Sequence, residues 1–219
     1  MSIKSKLHKL RLISFYKTVW MNVHYFGIEG VFTPHFIISK NVIIRDIRGT
    51  VTIDKDSKAW LGFGDVGFID QKYERMIWDV TGNVVFKGNA SFCPGCKVVC
   101  MSNGRIEFGK EFSCNARTKI VCNKNITFGD NCMISWDCTF LDTDFHKIVD
   151  SEGQQRNIDE SIQIGDHVWI CSEVLVLKGS KIPSESVISV RSVVSKELRE
   201  EYCIYHNNNI CRENSYWEK

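Results

Sequence analysis

An aliphatic residue returns every six positions through one long stretch of this chain: Ile164, Ile170, Val176, Ile182, Ile188 and Val194. Four positions after each of the first five comes a small or β-branched residue: Val168, Val174, Ser180, Ser186 and Ser192. Neither common element has this period. A helix repeats at three and four, a half-buried strand at two. A period of six fits a solenoid, in which each hexad is a short strand and a corner. One side chain fills the interior and the small residue fits the corner. Three hexads close a triangular coil, and coils stack because a single one cannot bury its own face.

The same register recurs upstream. Phe128, Ile134 and Phe140 are six apart, with Cys132 and Cys138 at the small position. Phe108, Cys114 and Ile120 form another block, and Phe86, Phe92 and Val98 a third, with Ala90 and Cys96 at the small position. Between blocks the phase slips by a few residues, which predicts loops or loose corners. The repeat also absorbs much of the chain's ten cysteines, since a buried thiol packs as a small hydrophobe. The run CPGC, Cys93 to Cys96, reads as structural. A thioredoxin-type pair would follow a strand and open a helix, and a zinc site would need a second ligand pair. No other CxxC and no HxxxH is present.

The 219 residues suffice for one substantial core with a small appendage. A net charge of +2 does not suggest a nucleic-acid binder, which usually shows a basic domain with clustered Lys and Arg. No run of eighteen apolar residues predicts a membrane span, and Lys9, Arg11 and Lys17 interrupt any signal-peptide core. The expected location is cytoplasmic, where thiols stay reduced. Ile3, Leu7, Leu10, Ile13, Val19, Trp20 and Val23 recur at helical spacing among Lys4, Lys6, Lys9, Arg11 and Lys17, which predicts an amphipathic helix. Its plainer reading is a helix that packs on the solenoid or caps its end; its sharper one is a peripheral contact with the inner face of a membrane. The expected division is 1–30 for the helix and its connection, 31–201 for the solenoid and 202–219 for a tail.

Three stretches resemble the hexapeptide-repeat acyltransferases, in the branch of the maltose and galactoside O-acetyltransferases and the polysaccharide O-acetyltransferases. They are ITFGDNCMISWDCTFLDTDFH (126–146), IQIGDHVWICSEVLVLKGSKIPSESVISVRSVVSK (162–196) and GIEGVFTPHFIISKNVIIRDIRGTV (27–51). The resemblance implies an all-β fold, a left-handed parallel β-helix with an N-terminal helix and one loop protruding after residue 142. The handedness comes from the resemblance alone and opposes the usual crossover preference. It also implies an acetyl-CoA-dependent O-acetyltransferase acting on a sugar or oligosaccharide, assembled as a homotrimer with active sites between subunits, and needing no metal.

In such a protein His146, at the base of the loop, is the expected general base. An imidazole, with an ordinary pKa of about 6.5, can take a hydroxyl proton as the oxygen attacks a thioester. Asp144 and Asp142 are expected to orient it, Asn115 and Trp136 to meet the acceptor, and Trp169, Cys171, Lys178, Ser189 and Arg191 to meet the donor. Cys171, Ser189 and Arg191 stand where the family usually has glycine, and YHNNN (205–209) where it often reads Gly-Asn-Pro-Ala-Lys. These departures leave a decayed, non-catalytic scaffold as the alternative. A zinc enzyme of the carbonic anhydrase type would need three histidines on one metal, and only His146 and His167 lie in the coil region.

Overall fold

In the computed structural model, which describes residues 10–64 and 66–218, the strands form three sheets of nine, seven and six strands. Every pairing between successive coils is parallel, for example Trp169 beside Val187 and Leu175 beside Val193. The first sheet runs from Phe36–Ile38 to Ile204–His206, the second from Val42–Asp46 to Val193–Val194, and the third from Thr50–Ile53 to Lys181–Ile182. The chain visits first, second and third sheet in turn, and so winds a three-sided prism.

The interior is what the hexads specify. All six aliphatic positions from Ile164 to Val194 are buried, and so are all five corner positions from Val168 to Ser192. At most corners a residue in the left-handed backbone region precedes the inward-pointing one: Arg117, Asn131, Asp137, His167, Glu173, Glu185 and Arg191 have φ between 52° and 61°. Elsewhere the coils crowd backbone on backbone. A Cβ on Gly129 would lie 2.5 Å from the carbonyl carbon of Gly165 in the next coil, so only glycine fits. Rings stack along the third sheet, where Phe86, Phe108 and Phe128 share one register with centroids 5.1 and 5.5 Å apart.

The phase slips have a simple origin. A coil advances 18 residues from Trp169 to Val187 but 22 from Phe92 to Cys114. The upstream strands of the second and third sheets are four residues long, such as Lys97–Cys100 and Arg105–Phe108, where later ones have two or three. Each extra pair puts another side chain inside. Cys100 and Cys122 fill two of these added inward positions. Burial pushes the thiols of Cys132 and Cys138 up to about 12, which makes them inert filling rather than nucleophiles.

The N-terminal element differs from the expected single helix. Ile3, Leu7, Lys4, Lys6 and Lys9 lie outside the described residues. After Leu12 the chain breaks: Ile13 bridges Ser39, and the Ser14 amide donates to the Ile38 carbonyl at 2.8 Å. A helix, α1, then runs Phe15–Phe26, and a single turn, α2, runs Glu29–Phe32. The expected apolar face is turned outward at Trp20 and Val23. The buried face is built on Thr18, Met21 and Asn22. Asn22 acts as a piece of strand: its amide accepts from the His35 and Phe36 N–H groups at 2.8 and 2.9 Å and donates to the Phe36 carbonyl at 2.8 Å. Thr18 accepts from Ile38 N–H at 3.1 Å. These side chains close the edge of the first strand, which would otherwise offer open hydrogen bonds to other chains. Among the described residues no helix is long and apolar enough to cross a membrane.

The opposite end is closed as well. Ile204–His206 pairs parallel with Val187–Ile188, and Asn209–Arg212 folds back on it antiparallel. The Asn207 and Asn208 side chains accept from the Val193 and Ser195 N–H groups at 2.9 and 3.1 Å. The YHNNN segment thus satisfies the last strand of the second sheet.

Candidate active site

The loop leaves the corner between the second and third sheets after Leu141 and returns at Ile162. Its first residue, Asp142, is fully buried. One carboxylate oxygen accepts from the Asn123 N–H at 2.7 Å. The other accepts from the Lys124 and Asn125 N–H groups at 2.9 and 2.8 Å and from the Cys122 thiol at 3.2 Å. Asp142 is therefore a clamp between the loop and the corner of the preceding coil. It does not orient His146 as expected, because both oxygens are spent on backbone.

Asp144 is also engaged elsewhere. It pairs with Lys178 Nζ at 2.5 Å and accepts from Asn157 Nδ2 at 2.8 Å, and the Lys178 contact holds its carboxyl below the usual range. Asn157, which no motif singles out, ties the loop together. It donates also to the His146 carbonyl at 2.7 Å, while its side-chain oxygen accepts from the Ile148 N–H at 2.6 Å. Just before His146, Phe145 sits at φ 61° and is exposed. The same left-handed conformation recurs at the coil corners. His146 faces a cleft of ≈ 210 Å³ shared with Thr143, Asn123, Asn157 and Asp159. Among the described residues no hydrogen bond reaches its imidazole, which leaves both ring nitrogens open to a substrate.

A second group of expected residues meets on a different corner, between the first and second sheets. Asn115, Cys171 and Ser189 occupy equivalent places in their coils, each amide donating to the end of the adjacent first-sheet strand. Trp136 and Arg191 lie on the same corner. Trp169 is two residues before Cys171, and its indole N–H donates to Ser135 Oγ at 3.0 Å. Lys178 does not join this group, because its coil position puts it beside Asp144. The structure thus sorts the expected residues into a base corner, with Asp142, Asp144, His146 and Lys178, and a second corner with the rest.

The departures from glycine have local partners. Arg191 takes the left-handed conformation and pairs with Glu173 at 2.7 Å. Ser189 Oγ lies 2.9 Å from the His206 ring. Residues 66–75, in a second excursion that the repeat did not predict, reach over the same corner. Phe68 meets Trp136 edge-on at 5.2 Å and lies under the Arg117 guanidinium, which Asp137 holds at 2.6 Å. Trp217, near the C-terminal end, stacks on His167 at 4.5 Å and approaches Trp169 at 6.2 Å. His167 in turn pairs with Glu185 at 2.6 Å.

No family model matches the sequence. Galactoside O-acetyltransferase from Escherichia coli strain K12 is 33% identical over 95 residues, 42% of this chain and 46% of that protein. The match therefore spans about half the length of that relative. The solved galactoside acetyltransferase in complex with coenzyme A is 27% identical, with a TM-score of 0.51 over 62% of this chain and 69% of that one. The polySia-specific acetyltransferase NeuO has a TM-score of 0.54 over 84% of this chain and 82% of its own, at 21% identity. This is the fold of the hexapeptide-repeat acyltransferases. The hexapeptide-repeat prism winds left-handed, and its one long departure from the coil in the second half is the loop that carries His146.

Proposed function

We propose that the protein transfers an acetyl group from acetyl-CoA to a hydroxyl of a sugar or surface-polysaccharide precursor, with His146 as general base. What carries this reading is His146 itself. Its imidazole has no hydrogen-bond partner among the described residues and is set at a cleft on a loop whose base Asp142 and Asn157 hold, in a hexapeptide-repeat fold. The imidazole would remove the acceptor proton as the oxygen attacks the thioester carbonyl. The carbon–sulfur bond then breaks, and the proton passes to the departing thiol. No covalent enzyme intermediate is needed.

The donor is assigned to Cys171, Ser189 and Arg191, flanked by Trp169, and the acceptor to Asn115 and Trp136 on the same corner. Because that corner and His146 lie on different edges of one prism, a complete site needs a second copy. The second sheet supports such packing. Its outward column of Val99, Val121, Leu141 and Leu177 is only partly covered, with Leu175 and Val193 beside it. We assign this face to a homotrimer. Light scattering should give about three times the 25.2 kDa chain mass, and a stable monomer would remove the shared site.

A decayed scaffold is the second reading, favoured by the way Glu173 and His206 occupy Arg191 and Ser189. Acetyl-CoA separates the two. A ligand at a hundred times its Kd stabilises by about 2.7 kcal/mol, so the enzyme should melt several degrees higher with millimolar acetyl-CoA. A folded trimer whose midpoint does not move would support the scaffold.

A further inference from the structure

The outward side of α1 is the wrong kind of surface for water. Tyr16, Trp20 and Val23, at i, i+4 and i+7, form one stripe directly opposite Thr18, Asn22 and Tyr25, which hold the solenoid edge. Tyr16 and Trp20 stack at 6.4 Å. Phe15 is 79% exposed and Tyr16 73%, and the following turn exposes Ile28 at 70% and Phe32 at 80%. Isolated apolar side chains on a surface need no explanation, but a clustered set marks an interaction site. The helix is anchored through Thr18, Met21 and Asn22, and from the flank of the stripe through Lys17 and His24. Lys17 bonds the Lys40 and Val42 carbonyls, both at 2.7 Å, and His24 the Ile47 carbonyl at 2.8 Å.

Charge decides what covers the stripe. Residues 1–28 carry five of the 28 Lys and Arg and none of the 26 Asp and Glu. The rest of the chain therefore has 23 basic against 26 acidic residues, so the net positive charge comes from the sequence segment that includes α1. Two copies meeting through this element would bring like charges together. An anionic lipid surface complements both properties at once. Aromatic and aliphatic side chains enter the boundary between headgroups and acyl chains, and Lys and Arg remain among the phosphates.

We propose that α1 and α2 dock the protein on an anionic membrane surface. The contact is interfacial, since the helix lies flat against the solenoid edge. It does not depend on the acyl-transfer reading.

The test is co-sedimentation of the full chain with vesicles of phosphatidylcholine alone and of phosphatidylcholine mixed with phosphatidylglycerol. The protein should pellet with the mixed vesicles at low salt, weakly with the neutral ones, and be released by high salt. Tyr16→Ser combined with Trp20→Ser should weaken binding by about tenfold or more, while melting midpoint and solution mass stay unchanged. Should that variant fold poorly, Lys4→Gln with Lys6→Gln and Lys9→Gln leaves the stripe intact and should still weaken binding to the mixed vesicles. Absence of pelleting with anionic vesicles at low salt would overturn the proposal. So would a folded stripe variant that binds as well as the wild type. A variant that lowers the solution mass without changing vesicle binding would assign the stripe to a contact between copies instead.

Discussion

Replacing His146 by alanine should lower acetyl transfer by roughly 10²–10⁴-fold, the range associated with losing a general base. The effect should fall on turnover. Donor affinity should hold, because the donor is assigned to the other corner, away from the loop. Melting midpoint should also hold, since the imidazole is exposed and makes no internal hydrogen bond among the described residues. Asp144→Asn should cost less: it breaks the Lys178 pair at the base of the loop but leaves the imidazole in place. Asn157→Ala is the sharper companion. It removes one side chain that grips both Asp144 and the His146 carbonyl, so it should lower turnover by letting the loop drift. Added to His146→Ala it should do almost nothing more, because a positioning residue has nothing left to position. Near-normal turnover in a folded His146→Ala protein would end the general-base reading.

The prism was legible because its driving signal is local and repeated. A hexad needs no partner outside its own pattern to say which side chain points inward, so Ile164 through Val194 read correctly one residue at a time. The upstream blocks read less cleanly for a physical reason. Four-residue strands such as Arg105–Phe108 carry two inward residues instead of one, and a period of six cannot express that. The N-terminal helix misled for the opposite reason. Its apolar spacing was real, but the face that docks is mixed: Met21, Tyr25 and Phe26 pack on the core, while Thr18 and Asn22 cover the hydrogen-bonding edge of Phe36–Ile38. Asn22 answers that need, and no hydropathy pattern could have chosen it.

The loop shows the same divide. His146 was accessible to sequence reasoning as a candidate, because the resemblance puts a histidine at the base of the loop and acyl transfer wants a base of its type. Asn157 was not, because its value lies in touching two residues more than ten positions away. Phe68 was hidden likewise. It comes from an excursion in an early coil and reaches Trp136 only after the coils stack. The two aspartates look alike in DTDFH, but folding gives them opposite surroundings, one buried against backbone and one exposed beside a lysine.

That contrast sets the largest expected effect on stability. Asp142→Ala should destabilise the protein by about 3–5 kcal/mol, because it leaves three backbone donors at the 123–125 corner without their acceptor, each costing about 1–3 kcal/mol when water cannot replace it. At roughly 2–4 °C per kcal/mol for a chain of this size, the melting midpoint should fall by about 10 °C. Asp142→Asn should fall between wild type and alanine. Its amide oxygen can keep the side that serves Lys124 and Asn125, but its NH₂ then faces the Asn123 N–H, donor against donor. Differential scanning calorimetry on the three proteins measures this order directly. The Glu160 amide also reaches the Asp142 carbonyl, at 3.3 Å, so both ends of the loop close on this one residue. Loss of the clamp should therefore expose the loop to limited proteolysis between residues 143 and 160 before the prism itself unfolds. Were Asp142→Ala to melt like the wild type and lose only turnover, the carboxylate would belong to the chemistry after all, and its buried hydrogen bonds would be incidental.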